Sequence, residues 1–391
     1  MSYLITPADL AAFQRCRRQW DFGASGRQNL EPVEPAPGPD LGRAVREALD
    51  IYYFPGMWDW QRQITLPLVL QGFERALTTQ REHAAAGASE AAWPQLLDTG
   101  RRLLGRYFDW APGVDWFSPV LVEPEYDVAL LDPVRPEFAL LTPGGETIRY
   151  RGQLGLLAVD ASDAYWIVSH RLVEGDWSPA GELAADEETV AACWAWEQFY
   201  LGMAITGTIY NEVRPSALEQ PGARSQRSGA RSRWRRSRWL PSGRRDQPRQ
   251  VRQHEPSGGG RSIPQHRRMY AVAKEPANVE RIEQQTTPQF RRTWVRRSPA
   301  EVAEAGRRLA EAAIQMTAAG AGVAPSPSPA ICPGCAYLAP CQVMMDGRDP
   351  APLLRAGYRE RAPGKLAEGR LGGGAWSLGR GAAPPKWGGT L

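Results

Sequence analysis

Three of the chain's five cysteines fall in the stretch ICPGCAYLAPC, residues 331–341. Cys332, Cys335 and Cys341 are spaced C-x2-C-x5-C, close enough to grip one metal centre, and three thiolates rarely close such a site. The fourth ligand is then Cys16 or Cys193. Cys193 lies in the apolar helical stretch AACWAWEQF, where a buried inert thiol is the commoner outcome. Cys16 lies in FQRCRRQW, flanked by Arg15, Arg17 and Arg18, whose charges favour the thiolate that a metal needs. Cys16 is therefore the expected fourth ligand. That choice turns a local knuckle into a clasp: whatever lies between must fold so that residue 16 returns to residues 332–341. Four thiolates suit zinc or an iron–sulfur cluster. One remote ligand with three clustered ones favours a 4Fe–4S cluster over zinc, whose ligands usually come as two local pairs.

The 391 residues are enough for one large domain with appendages or for two domains. Net charge is +4, yet residues 224–268 carry 14 Arg against Asp246 and Glu255, a local excess of +12 that leaves about −8 for the rest. Such a block marks either a polyanion contact or a solvated insert. Around it, residues 216–268 have almost no aliphatic content and are expected to form no core. They are either a true Arg-rich disordered insert or the product of a shifted reading frame. The N-terminus lacks a basic start followed by an apolar core, and no run of about 18 apolar residues exists. The expectation is a cytoplasmic protein without a membrane span, in a reducing compartment where clustered cysteines bind metal.

Along the chain, Thr6 as N-cap, Pro7 at the first helical position and Asp9 in the first turn open a helix whose face carries Leu10, Phe13 and Trp20. Leu41, Val45, Leu49 and Tyr52 mark a second helix, and residues 63–110 predict two more. From Phe117 the pattern becomes β: FSPVLVEPEYDVAL, EFALLTP, ETIRYRGQLGLLAVDA and YWIVSHRLV read as four strands, the last central because it is almost wholly apolar. A helix returns at DEETVAACWAWEQFYLGMAI, whose tryptophans read as core. TIYNEVRP and RMYAVAKEP read as strands flanking the Arg-rich block. Ser298, Pro299 and Glu301 open a capped helix, and the chain after Met345 reads as a disordered tail.

A helix with one Cys, an α/β core, a capped helix and a terminal C-x2-C-x5-C together resemble the iron–sulfur members of the PD-(D/E)XK nuclease superfamily, the RecB/AddB-like proteins and CRISPR-associated RecB-type exonucleases. The likeness covers roughly residues 3–345 in order of elements, apart from the Arg-rich block. It implies an α/β (α+β) restriction-endonuclease-like core, a mixed central sheet flanked by helices, with both ends clasped by a 4Fe–4S cluster. The organisation expected is one RecB-like domain over 1–345: a helical region over 1–115, a sheet core over 116–213, and a C-terminal helix with the cysteine cluster over 269–345. The insert 216–268 and a Gly/Pro-rich tail 346–391 complete it.

The positions that would carry catalysis depart from the family pattern. The histidine of the family's Gly-x-x-x-His is Arg46, four residues after Gly42. The metal-binding aspartate of its Gly-x-Ile-Asp strand is Gly155, and its Asp-x-Lys becomes Ser169, His170 and Arg171. Its Gln-x-x-x-Tyr becomes Trp196 with Tyr200. Gly155 and Ser169 offer Mg2+ no carboxylate, and guanidinium is no base. Arg46, His170 and Arg171 are instead candidate phosphate contacts. The resemblance thus implies a catalytically inactive nuclease-fold protein that binds DNA or joins a nucleic-acid-processing complex, beside a helicase or similar partner. One alternative is an active Mg- or Mn-dependent nuclease with relocated ligands, drawing on Glu123, Asp160, Glu174 or Asp176. Another is a redox sensor on the same scaffold.

Overall fold

The structure is a computed structural model that describes residues 2–33, 40–82, 84, 92–215, 282–318 and 323–361. The expectations for the Arg-rich block, for the strand RMYAVAKEP and for residues 362–391 lie outside the described residues. The described ones belong to one compact unit drawn from Met1–Leu218 and Val279–Leu391.

The first helix begins as its residues dictate. The Thr6 hydroxyl accepts the Asp9 amide, and the Asp9 carboxylate accepts the Thr6 amide. It does not run through to Trp20. Cys16 adopts extended geometry (φ −161°, ψ 116°) and divides α1 (Pro7–Arg15) from α2 (Arg17–Gly23). Strand β1 (Ser2–Ile5) precedes them and β2 (Leu30–Pro32) follows. Three helices come next: α3 (Leu41–Tyr52), α4 (Arg62–Glu82) and α5 (Ala92–Trp110).

The two long apolar runs after Phe117 are each divided between two sheets. FSPVLVEPEYDVAL gives β3 (Phe117–Val122) and β4 (Glu125–Ala129), separated at Glu123, which has a left-handed φ of 47°. ETIRYRGQLGLLAVDA gives β5 (Thr147–Gln153) and β6 (Leu156–Asp160). EFALLTP, expected as a strand, makes only isolated bridges, Leu131 with Ala139 and Leu141 with Thr147. A three-stranded sheet has the order β1-β5-β4. The larger sheet contains β3 and β6, then β7 (Tyr165–Leu172), β8 (Ile205–Val213), β10 (Phe290–Arg296) and β9 (Ile282–Thr286), in the order β3-β6-β7-β8-β10-β9. β3, β6 and β7 pair antiparallel, whereas β7 and β8 run parallel. Parallel neighbours need a crossover, supplied here by α6 (Ala180–Ala184) and α7 (Glu187–Phe199). The fold is mixed α/β, as expected, and β7 is internal to its sheet.

Strand alternation distributes the core to two faces. Leu156, Ala158, Trp166 and Val168 pack with α3–α5, while Leu157 and Ile167 join Trp194 and Trp196 of α7 and Leu309 of α8 (Pro299–Ala318) on the other face. Ser298 and Glu301 cap α8 reciprocally, as its sequence predicts. Where α7 crosses α8, a Cβ on Gly306 would stand 2.2 Å from the Trp194 indole, so only glycine admits this approach.

The tail expectation is corrected for residues 346–361. After α9 (Leu338–Met345), α10 (Ala351–Gly357) and β11 (Tyr358–Glu360) are ordered, and β11 pairs antiparallel with β2. The cause is distant pairing, reinforced by Tyr358 stacked on Tyr337 and Tyr337 on Phe22. Among the described residues no helix is long and apolar enough to cross a membrane.

Candidate functional site

The four predicted thiol ligands come from three places. Cys16 occupies the break between α1 and α2, Cys332 and Cys335 bracket a short 3-10 turn, and Cys341 lies on α9. The break at Cys16 presents its thiol to the returning chain: the Ser326 amide donates to Cys16 Sγ at 3.4 Å. Within the cluster the Ser328 amide donates to Cys332 Sγ at 3.3 Å. Arg18 reaches across to donate from Nη1 to Cys341 Sγ at 3.7 Å and from Nε to the Val323 carbonyl at 3.3 Å. Burial pushes the Cys335 thiol up; the Tyr337 amide works against this, and the charges of Cys16, Cys341 and Cys332 add to it. Cys335 thus feels all three other thiols, and sequence positions 16 and 332–341 meet. Among the described residues, no three His, Cys, Asp or Glu side chains are grouped around a single-ion site. Cys193 is buried, with burial pushing its thiol up to about 12, the inert environment its sequence suggested.

The sheet positions expected to bind phosphate are not gathered into one pocket. Ser169 and Arg171 share the face towards α7, and His170 takes the other. Arg171 forms an ion pair with Asp186, the N-cap residue of α7, and its guanidinium lies 4.6 Å from the Tyr210 ring centre. Its charge is therefore already matched, by Asp186. His170 stacks on Tyr53 with ring centres 5.3 Å apart, and the Asn211 amide stands 2.7 Å from its Nδ1. Because that amide also donates to Tyr107, and its oxygen accepts from Arg292, Nδ1 is the acceptor and Nε2 carries the proton. Burial, with Arg292 and Arg46 acting in the same direction, brings the His170 pKa down to about 3. The imidazole is then neutral and supplies no cation. Tyr200 caps the far end of α7, stacked on Trp196. At 1.5 Å per residue, roughly 20 Å of helix separates it from Asp186, so it does not join Arg171.

Beneath His170 lies a network invisible in the sequence. Arg292, fully buried, pairs with Asp115 and donates from Nη2 to Tyr53 Oη at 3.1 Å and to Tyr107 Oη at 3.0 Å. Tyr53 in turn donates to Asp115 at 3.1 Å. Its neighbour Arg291 points to the other face and pairs with buried Glu212.

Arg46 is the one phosphate candidate whose side chain is exposed. One turn further along α3 stands Asp50, which sequence reasoning missed. Burial raises the Asp50 carboxyl to about 8, Glu123 adds to the rise, and Arg46 opposes it. Asp50 donates a hydrogen bond to Glu123, whose own carboxyl is raised by burial and lowered by Arg46. The Glu123 amide is held by the Gly155 carbonyl at 2.9 Å. Gly155 itself has no room for a carboxylate, since a Cβ there would meet the Val168 carbonyl oxygen at 2.8 Å. Asp160, another relocation candidate, is committed to the β6–β7 turn, accepting from Ser162, Ala164 and the Trp166 indole. The i,i+4 spacing of Arg46 and Asp50 was the available signal.

A scan against protein-family models finds no match to this chain, and a search of curated proteins likewise returns none.

Proposed function

We propose that this chain is a nuclease-fold protein that binds nucleic acid without cutting it, its ends joined by a metal centre on Cys16, Cys332, Cys335 and Cys341. The observation that carries this reading is the run α3, β3, β6, β7, α7, β8, with β3-β6-β7 antiparallel and β8 parallel to β7. Helices on opposite faces of such a sheet are the arrangement that the PD-(D/E)XK resemblance implies. At the positions matching that family's carboxylates the strands carry Gly155 and Ser169, and Arg171 is bound to Asp186. Divalent-metal catalysis of phosphodiester hydrolysis needs hard anionic ligands there. The thiol set suits a 4Fe–4S cluster, with zinc the alternative. Four sulfurs from distant segments share one neighbourhood, and amides point at them. Such a centre would supply cross-linking of residue 16 to residues 332–341, and iron would add electron exchange. Arg46 remains the exposed cation for a phosphate, and residues 224–268 add a charge excess of +12.

The test combines iron, sulfide and zinc analysis of protein purified without oxygen with binding and cleavage of single- and double-stranded DNA in Mg2+ and Mn2+. Binding without cleavage, weakened in Arg46→Ala, is the expected result. Metal-dependent cleavage would overturn the inactive reading.

One observation favours a second reading, an active enzyme with relocated ligands. Asp50 and Glu123 are joined carboxyls at the edge of the same sheet, beside exposed Arg46. A divalent cation could replace the proton between them. Cleavage abolished by Asp50→Asn would establish it.

A further inference from the structure

Each of the four clustered sulfurs faces one N–H group. Ser326 donates to Cys16 at 3.4 Å, Ser328 to Cys332 at 3.3 Å, and the Tyr337 amide to Cys335. For Cys341 the donor is a side chain, the Nη1 of Arg18 at 3.7 Å. The first three are backbone groups that any residue other than proline would provide. The fourth depends on one residue, and it alone brings a full positive charge. Arg18 is half-buried, and its Nε simultaneously holds the Val323 carbonyl, in the segment leading to the cysteines. Its neighbour Arg17, adjacent to Cys16 in sequence, turns away to Gln315 at 2.8 Å and lies over Phe13. The helix break at Cys16 separates the two roles: Cys16 offers its own sulfur while Arg18 serves the sulfur of another cysteine 323 positions away.

We infer that Arg18 is a positioning residue of the thiol centre, retaining its metal by donating to Cys341 and by offsetting the negative charge of four thiolates. This rests on the proposed metal centre. The physical reasons are general. Sulfur ligands accept N–H donors more strongly as thiolates than as thiols, and hydrogen bonds to ligand sulfur and nearby charge tune both the affinity and the potential of such sites. A guanidinium bound at once to a ligand and to the adjoining chain also holds that ligand in register after the metal begins to dissociate.

The experiment uses the full chain purified without oxygen, as wild type, Arg18→Ala, Arg18→Lys and Arg17→Ala. Metal release into excess chelator is followed spectroscopically, and the reduction equilibrium is measured where the centre holds iron. Arg18→Ala should release metal about tenfold faster, within the range seen when such supporting partners are removed. Its reduction equilibrium should shift about tenfold towards the oxidised form, close to 59 mV lower for one electron. Arg18→Lys should recover most of the potential, which follows charge, and less of the release rate, which follows the two-point contact. Arg17→Ala should match wild type. Wild-type release and potential in Arg18→Ala would overturn the proposal, as would an equal effect in Arg17→Ala. A wild-type chain that binds no metal through Cys16 would instead overturn the centre itself, and with it the role of Arg18. Circular dichroism of each variant separates these results from misfolding, and if Arg18→Ala does not fold, Arg18→Lys decides between the outcomes.

Discussion

Around the large sheet, arginines face carboxylates and aromatic rings; at the cysteine cluster, Arg18 faces sulfur. Arg292 is enclosed by Asp115, Tyr53, Tyr107 and Asn211, Arg291 by Glu212, and Arg171 by Asp186 and Tyr210. Those charges are matched within the protein, and their positions are fixed by packing on both sides. Among the described residues Arg18 meets a thiol and a carbonyl, groups that leave a cation unmatched until the sulfurs carry charge. Matched cations hold a fold together, whereas Arg18 would act on the ligands of the proposed metal centre.

Arg292 is where this contrast faces its most severe test. Arg292→Met would leave Asp115 as an unpaired buried charge, a loss of about 3–5 kcal/mol, read from denaturant unfolding. Replacing Asp115 by Leu in the same chain should restore much of it. A small loss from Arg292→Met would place it with Arg18 rather than apart. At the clasp, chelation should remove stability only through metal linkage, about 4 kcal/mol at free metal roughly 1,000 times Kd. Cys16→Ala should make the thermal midpoint insensitive to chelator.

A smaller effect belongs to Asp50. Its folded pKa of about 8 stands above its ordinary 3.8, so the native state holds a proton that the unfolded chain releases. The contribution is complete below the ordinary carboxylate range and disappears as pH rises towards about 8. Stability should fall as pH rises across this window, and Asp50→Asn should flatten the profile. The smallest expected change calibrates the rest: Ser298→Ala at the exposed cap of α8 should cost about 1 kcal/mol, measured by the same unfolding curves.

What the sequence discloses follows the reach of its signals. The caps at Thr6 and Ser298 and the helical stripe of α3 are local, and each holds in the structure. The division of two apolar runs between sheets is also local, yet it is hidden because Glu123 and Gly155 look unexceptional inside continuous β patterns. The buried network is hidden for a different reason. Nothing local marks consecutive arginines in FRRTWVR as buried, and Asp115 lies 177 positions from Arg292. The candidate site was legible in its sulfurs and in Arg46. Asp50 was not, because the proton it shares with Glu123 depends on burial created by tertiary packing.

The pairing of β2 with β11 also sets a schedule. Arg359 meets Glu31 across 328 positions, and closing a flexible loop of that length costs about 5 kcal/mol. The six-stranded sheet lies between those positions, so its prior formation would shorten the distance to be searched. Residues 30–32 are synthesised well before their strand partner at residues 358–360. β2 therefore waits for β11. Faults in residues 358–360 would be felt first as a failure to finish folding, with the sheets already in place.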